Sequence, residues 1–184
     1  MKKMARGAEK CLIFRYLCRE TASGGSPLIP YIYRKIKEGR KMSKLRPYRR
    51  KVYYYETDKM GIMHHSNYIR IFEETRVDFL EQAGMPFASI EEKGLLMPVL
   101  SVECSYRRPL RFGDEFEVIA DITKFSGTKL FVVYRVINCE TGELCAEGSS
   151  SHCFTDENMR PVRTKRTFPE VYRIFADNIT EPEN

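Results

Sequence analysis

Long apolar runs are missing from this 184-residue chain. None approaches the ~20 residues that a membrane-spanning helix needs, so no such helix is expected. Glycine and proline are modest, at 11 and 9, which excludes collagen-like and low-complexity chains. The six cysteines (Cys11, Cys18, Cys104, Cys139, Cys145 and Cys153) form no CxxC pair and no zinc-knuckle spacing. Free thiols in a reducing cytoplasm are therefore expected, and a disulfide framework is not. The apolar stretch from Leu12 to Leu17 is short and broken by Arg15, which excludes a secretory signal. No Gly-rich phosphate loop occurs. There is no Gly-x-Ser-x-Gly elbow either, and Ser149-Ser150-Ser151 reads as strand.

What is present suits a globular domain with an appendage. The chain is 42% hydrophobic and 30% charged, with 11 Phe and 11 Tyr to fill a core. A formal charge of +6 invites a nucleic-acid reading, but the charge is unevenly placed. Residues 1–41 hold 11 of the 31 Lys/Arg and 3 of the 25 Asp/Glu, so the remainder is net −2. No basic binding face for nucleic acid is expected. The segment 1–41 is broken at Ser23-Gly24-Gly25-Ser26-Pro27 and has no sustained period. It reads either as a tail with a short accessory helix or as translation upstream of a natural start at Met42. The purine-rich coding that Lys37-Glu38-Gly39-Arg40-Lys41 allows fits a ribosome-binding site. The domain itself is placed at 42–184.

From Lys51 the patterns sharpen. Val52 to Glu56 is tyrosine-rich and predicts a strand, and Asp58 and Gly61 signal a turn. Ser66 and Asn67 are N-cap candidates for a helix running to about Ala83. Its apolar or small positions Tyr68, Ile71, Phe72, Thr75, Phe79, Leu80 and Ala83 recur at helical spacing, and Gly84 and Pro86 end it. Pro86 to Lys93 reads as a short helical turn. The period then becomes two, through Ser101–Tyr106, Phe116–Ile122, Phe131–Ile137 and Leu144–Phe154, with turns at Gly113-Asp114, Ser126-Gly127 and Glu140–Glu143. Pro169 to Ala176 reads as a closing helix. The fold class is α+β, with an antiparallel sheet of four or five strands around one long helix.

The densest set of reactive residues runs from Tyr53 to Asn67. It offers a carboxylate (Asp58), two of the three histidines (His64, His65) and the start of a helix. The unpaired N–H groups and positive dipole end of a helix suit a developing oxyanion, so acyl transfer or hydrolysis is one reading. The other is an Asx-turn aspartate beside surface histidines. A metal site would need His64, His65 and His152 or Asp58 together, but adjacent histidines rarely ligate one ion. Cys153 and His152 point to opposite faces of a strand, which disfavours a Cys–His nucleophile.

One pattern resembles a known family. Tyr55-Glu56-Thr57-Asp58-x-x-Gly61-x-x-x-His65-x-Asn67-Tyr68, followed by Glu73-x-x-Arg76, is similar to the signature of hotdog-fold acyl-CoA thioesterases. The nearest branch is that of 4-hydroxybenzoyl-CoA thioesterase and YbgC-type hydrolases. The resemblance spans about Lys51 to Ala176 and includes Tyr106-x-x-Pro109-Leu110-x-x-Gly113-Asp114. It implies a hotdog fold of about five strands, edge-to-edge dimers or tetramers, and an acyl-CoA substrate hydrolysed without metal or cofactor in the cytoplasm. It implies Asp58 as general base or nucleophile and the His65 N–H as an oxyanion donor. Gly61, Asn67, Tyr68 and Glu73 are implied to border the substrate. Arg107 and Arg108, with Arg111, either meet CoA phosphates or form a solvated turn. The alternatives are a thioesterase acting on acyl carrier protein and a non-catalytic module that binds acyl thioesters.

Overall fold

A computed structural model describes residues 45–180. The readings on residues 1–41 and on Met42 lie outside them. The described chain forms a five-stranded sheet in the order β1-β3-β4-β5-β2, with every neighbouring pair antiparallel. The strands are β1 (Tyr48–Lys51), β2 (Val99–Tyr106), β3 (Glu115–Phe125), β4 (Lys129–Asn138) and β5 (Leu144–Cys153). The helices are α1 (Ser66–Gln82), α2 (Phe87–Glu92), α3 (Thr164–Thr167) and α4 (Pro169–Asp177). This is the α+β arrangement that the periodicities predict.

Helix α1 lies against the sheet because one stripe of it is apolar. Tyr68, Ile71, Phe72 and Leu80 are buried, and the Phe72 ring stacks on Tyr134 of β4 at 4.3 Å. Each such side chain contributes ~1.5–3 kcal/mol through burial. Gly84, at φ +78°, then ends the helix in the left-handed region. In the last turn of α1, Phe79 stacks on Phe175 of α4, and Phe175 also meets Phe125 and Phe154, so the closing helix seals that end of the core.

Helix and sheet approach closely at Gly148 of β5. A Cβ there would strike the Phe72 ring and lie 2.8 Å from the Glu103 carbonyl oxygen of β2. A backbone oxygen held in a strand pair cannot step aside. Gly148→Ala should therefore destabilise the fold by about 3 kcal/mol, the upper part of the usual overpacking range. Denaturant unfolding measures this, and an unchanged midpoint would contradict the packing.

Two expectations need correction. The strand placed at Val52–Glu56 lies upstream, at Tyr48–Lys51, and Tyr54–Glu56 is a single 3-10 turn. Strand β1 is hidden in the sequence by its charges, which are matched across the sheet: Arg49 and Lys51 both pair with Glu115 of β3, at 2.7 and 3.5 Å. The helix cap also differs. His65 occupies the N-cap position with helical dihedrals, while Asn67 lies inside the first turn and points inward.

Candidate active site

The turn that carries Asp58 is closed by backbone bonds. Thr57 and Met63 face each other in an antiparallel bridge, and the Asp58 N–H donates to the Ile62 carbonyl at 3.0 Å. The Gly61 N–H donates to the Asp58 carbonyl at 2.9 Å. Gly61 has φ +71°, a conformation costly for any side chain with a Cβ. The Met60 N–H donates to Asp58 Oδ1 at 2.8 Å, which makes Asp58 an Asx-turn residue. That bond fixes the carboxylate while Oδ2 accepts no hydrogen bond among the described residues. The structural and chemical readings of Asp58 are thus compatible: one oxygen holds the turn and the other is available.

The start of α1 is pinned beside this turn. The His64 N–H and the Asn67 side-chain amide both donate to the Glu56 carbonyl, each at 2.8 Å. His64 Nδ1 pairs with Ser66 Oγ at 2.8 Å, and the two histidine rings lie 4.0 Å apart. From β2, the Tyr106 hydroxyl donates to the His65 carbonyl at 3.1 Å. Burial, then the neighbouring Cys104, pushes the Tyr106 phenol up to about 12, so it stays a donor at neutral pH. The His65 N–H itself has no acceptor among the described residues. It is an unpaired donor at the positive end of a helix of 17 residues.

Glu56, a member of the sequence motif, holds the two halves together, a role that local spacing does not reveal. Its carboxylate accepts two bonds from Arg50, at 2.8 and 2.6 Å, and one from the Tyr53 N–H at 2.8 Å. Both partners of this ion pair are nearly buried. Burial opposes the charge on Glu56, but the Arg50 and Tyr53 bonds outweigh it and hold the carboxyl below its usual range. Arg50 also reaches Glu74 of α1 at 2.9 Å, so strand, turn and helix share one guanidinium.

The other residues singled out in the sequence are spread more widely. Gly61 is in the Asp58 turn, and Asn67 is spent on the Glu56 carbonyl. Tyr68 is a core residue, edge-on to Tyr106 at 5.1 Å. Glu73 lies on the exposed side of α1, beside an open groove with Arg70, Val77 and Glu81. Arg107 and Arg108 pair with Glu147 and Glu143 of the β5 region, at 3.0 and 3.7 Å. Arg111 instead approaches the Asp58 turn, its Nη1 lying 3.9 Å from where a Gly61 Cβ would stand.

His152 is far from surface chemistry. It is fully buried on β5 and belongs to a chain of polar groups: Arg76 Nη1 donates to the Tyr134 hydroxyl (3.1 Å), which pairs with Ser150 Oγ (2.7 Å), which pairs with His152 Nε2 (2.7 Å). Burial, then the positive charge of Arg76, pulls the imidazole down to about 4, so it is neutral near pH 7. The neighbouring cavity, lined by Arg76, Phe79, Met97, Leu130 and Phe175 among others, has a volume of about 20 Å³. That is room for roughly one water, not for an acyl chain. Among the described residues no group of three His, Cys, Asp or Glu side chains is placed to hold a metal ion.

Comparison with known proteins fits this geometry. The model of the thioesterase-like superfamily matches residues 52–175. YneP of Bacillus subtilis is 35% identical over 125 residues, covering 67% of this chain and 90% of the relative. The acyl-CoA thioester hydrolase YbgC of Escherichia coli is 28% identical over 90 residues, covering 49% of this chain and 67% of its own. Among solved structures, a DHNA-CoA thioesterase from Staphylococcus aureus superimposes with a TM-score of 0.68 at 28% identity, covering 71% of this chain and 88% of that one. The match takes in the Asp58 turn, the long helix and the whole sheet after β1, and the chain is a hotdog-fold hydrolase that belongs to the thioesterase-like superfamily.

Proposed function

We propose that this chain hydrolyses an acyl-CoA to the free acid and the CoA thiol. The observation that carries the reading is the pairing of an available Asp58 Oδ2 with an unpaired His65 N–H at the start of α1. A thioester is an activated acyl donor, so a placed carboxylate and an oxyanion donor suffice and the reaction calls for no metal. Asp58 takes a proton from water as that water adds to the thioester carbonyl, and the His65 N–H donates to the oxygen that gains charge. The tetrahedral adduct then collapses with loss of the thiolate. The alternative step, attack by Asp58 itself, forms an acyl anhydride that water then opens. Single-turnover hydrolysis in isotopically heavy water separates the two, because an anhydride opened at the Asp58 carbonyl leaves the solvent oxygen in the Asp58 carboxylate and releases an unlabelled acid, whereas direct attack by water labels the acid.

A thiol-release assay over acyl-CoA and acyl-carrier-protein panels tests the substrate class. Turnover of the carrier protein alone would reassign the substrate. Tight binding of acyl-CoA with no thiol released would make the chain a binding module. The proposed setting is the cytoplasm; no helix among the described residues is long and apolar enough to cross a membrane.

The proposed active form is a homodimer, or a tetramer of two dimers, joined through β2. This strand forms one edge of the sheet and exposes Val99, Leu100, Val102 and Tyr106. An eight-residue edge strand of this composition is a template for pairing with another chain. Light scattering should give at least twice the protomer mass, and an active monomer at assay concentration would overturn this.

A further inference from the structure

Two loops converge beside the Asp58 turn and carry an exposed aromatic group that the proposed chemistry leaves unused. The Val52 N–H donates to the Asp114 carbonyl (2.9 Å), the Gly113 N–H to the Val52 carbonyl (3.1 Å), and the Met63 N–H to the Leu110 carbonyl (2.7 Å). These bonds fix the Leu110–Asp114 turn against the Tyr53–Met63 segment. The turn is rigid in itself: Asp114 Oδ2 accepts from the Arg111 N–H at 2.8 Å, and the Asp114 N–H donates back to the Arg111 carbonyl at 3.1 Å. Phe112 stands at its tip, 62% exposed, and meets Tyr54, 76% exposed, edge to face at 5.6 Å and 88°. Arg111 adjoins Phe112 in the chain and reaches over Gly61, and Lys59 is an exposed cation on the same Asp58 turn. Asp114, the nearest carboxylate to Arg111 in the turn, is engaged by backbone N–H donation.

We infer that Tyr54 and Phe112 form a stacking platform for the adenine of coenzyme A, with Arg111 and Lys59 meeting its phosphates. This rests on the acyl-CoA reading and deepens it. A purine offers a flat face to aromatic rings, and such stacking tolerates exposure that would otherwise be unfavourable for Phe112. Guanidinium and ammonium groups complement the phosphates that join the nucleotide to the pantetheine arm. Tyr54 precedes Asp58 by four residues, so their backbones lie within about 14 Å, a span that the extended arm bridges. Arg107 and Arg108 are tied to carboxylates, whereas Arg111 makes no ion pair among the described residues. A carrier protein delivers the same arm without a nucleotide, so the platform selects the free coenzyme ester.

Steady-state kinetics of Phe112→Ser, Tyr54→Ser and Arg111→Ala test this with two substrates of one acyl group, the CoA ester and the N-acetylcysteamine ester, which lacks the nucleotide. For the CoA ester, KM should rise about 10-fold with kcat within a factor of two. For the N-acetylcysteamine ester, both constants should stay as in the parent. Equal effects on both esters, or none on either, would overturn the platform. So would a change of mass by light scattering in Phe112→Ser, which would make the patch a subunit contact. If the parent hydrolyses neither ester, the hydrolase reading fails on its own, and calorimetry with desulfo-coenzyme A decides the platform. Binding that the three variants lose supports it, and absence of binding by the parent overturns it.

Discussion

Asp58→Asn should lower kcat by ~10²–10⁴-fold, the range typical of a lost general base, with KM for the acyl ester little changed. The substitution retains an oxygen to accept the Met60 N–H, so the Asx-turn survives. What it removes is the negative charge that would take a proton from water or attack the carbonyl. His65→Ala is the matching control. Alanine keeps the backbone N–H and should cost far less, unless the imidazole takes part directly. Thiol release under saturating substrate measures both, in oligomers of unchanged mass. Nearly parental turnover by Asp58→Asn would remove Asp58 from the mechanism.

The second large effect concerns stability. Glu56→Ala should destabilise the fold by ~3–5 kcal/mol, because it strands the Arg50 guanidinium in a nearly buried place with one carboxylate partner instead of two. It also frees the Tyr53 N–H and loosens the 3-10 turn from which the Asp58 loop departs. Kinetic damage should therefore accompany the loss of stability. Glu56→Gln keeps an acceptor for Tyr53 and should lose less. Urea unfolding ranks the two variants, and a cost below ~1 kcal/mol for Glu56→Ala would show that the pair contributes little.

The parts of the fold that announce themselves in the sequence are those fixed by local pattern. The stripe from Tyr68 to Leu80 gives α1, Gly84 gives its end, and Ser126-Gly127 and Glu140–Glu143 give the β3–β4 and β4–β5 turns. The Asp58 turn was legible for the same reason, since Asp and Gly supply its side-chain bond and its positive φ. Strand β1 was not, because its charges are neutralised by Glu115, far along the chain. The Tyr53–Tyr55 triplet has strand propensity, yet the Arg50–Glu56 pair bends it away; tertiary contact overrides local preference there. The arginines illustrate the same limit. Three lie around Pro109, and only the carboxylates of the β5 region, invisible to local spacing, separate Arg107 and Arg108 from Arg111.

The sheet order also has a consequence for the time in which the molecule assembles. Strands β3, β4 and β5 are neighbours in sequence and in space, joined by short turns, so their pairing closes small loops and is entropically cheap. The bonds that frame Asp58 join distant stretches: Met63 to Leu110, Val52 to Asp114, and β1 to β3. The meander should therefore form early and the loops around Asp58 close late. Late-closing segments are also the first to open in the native protein. In native-state hydrogen exchange, the amides of Val52 and Met63 should thus exchange through smaller openings than those of Val132 and Val136, which wait for the whole sheet to come apart.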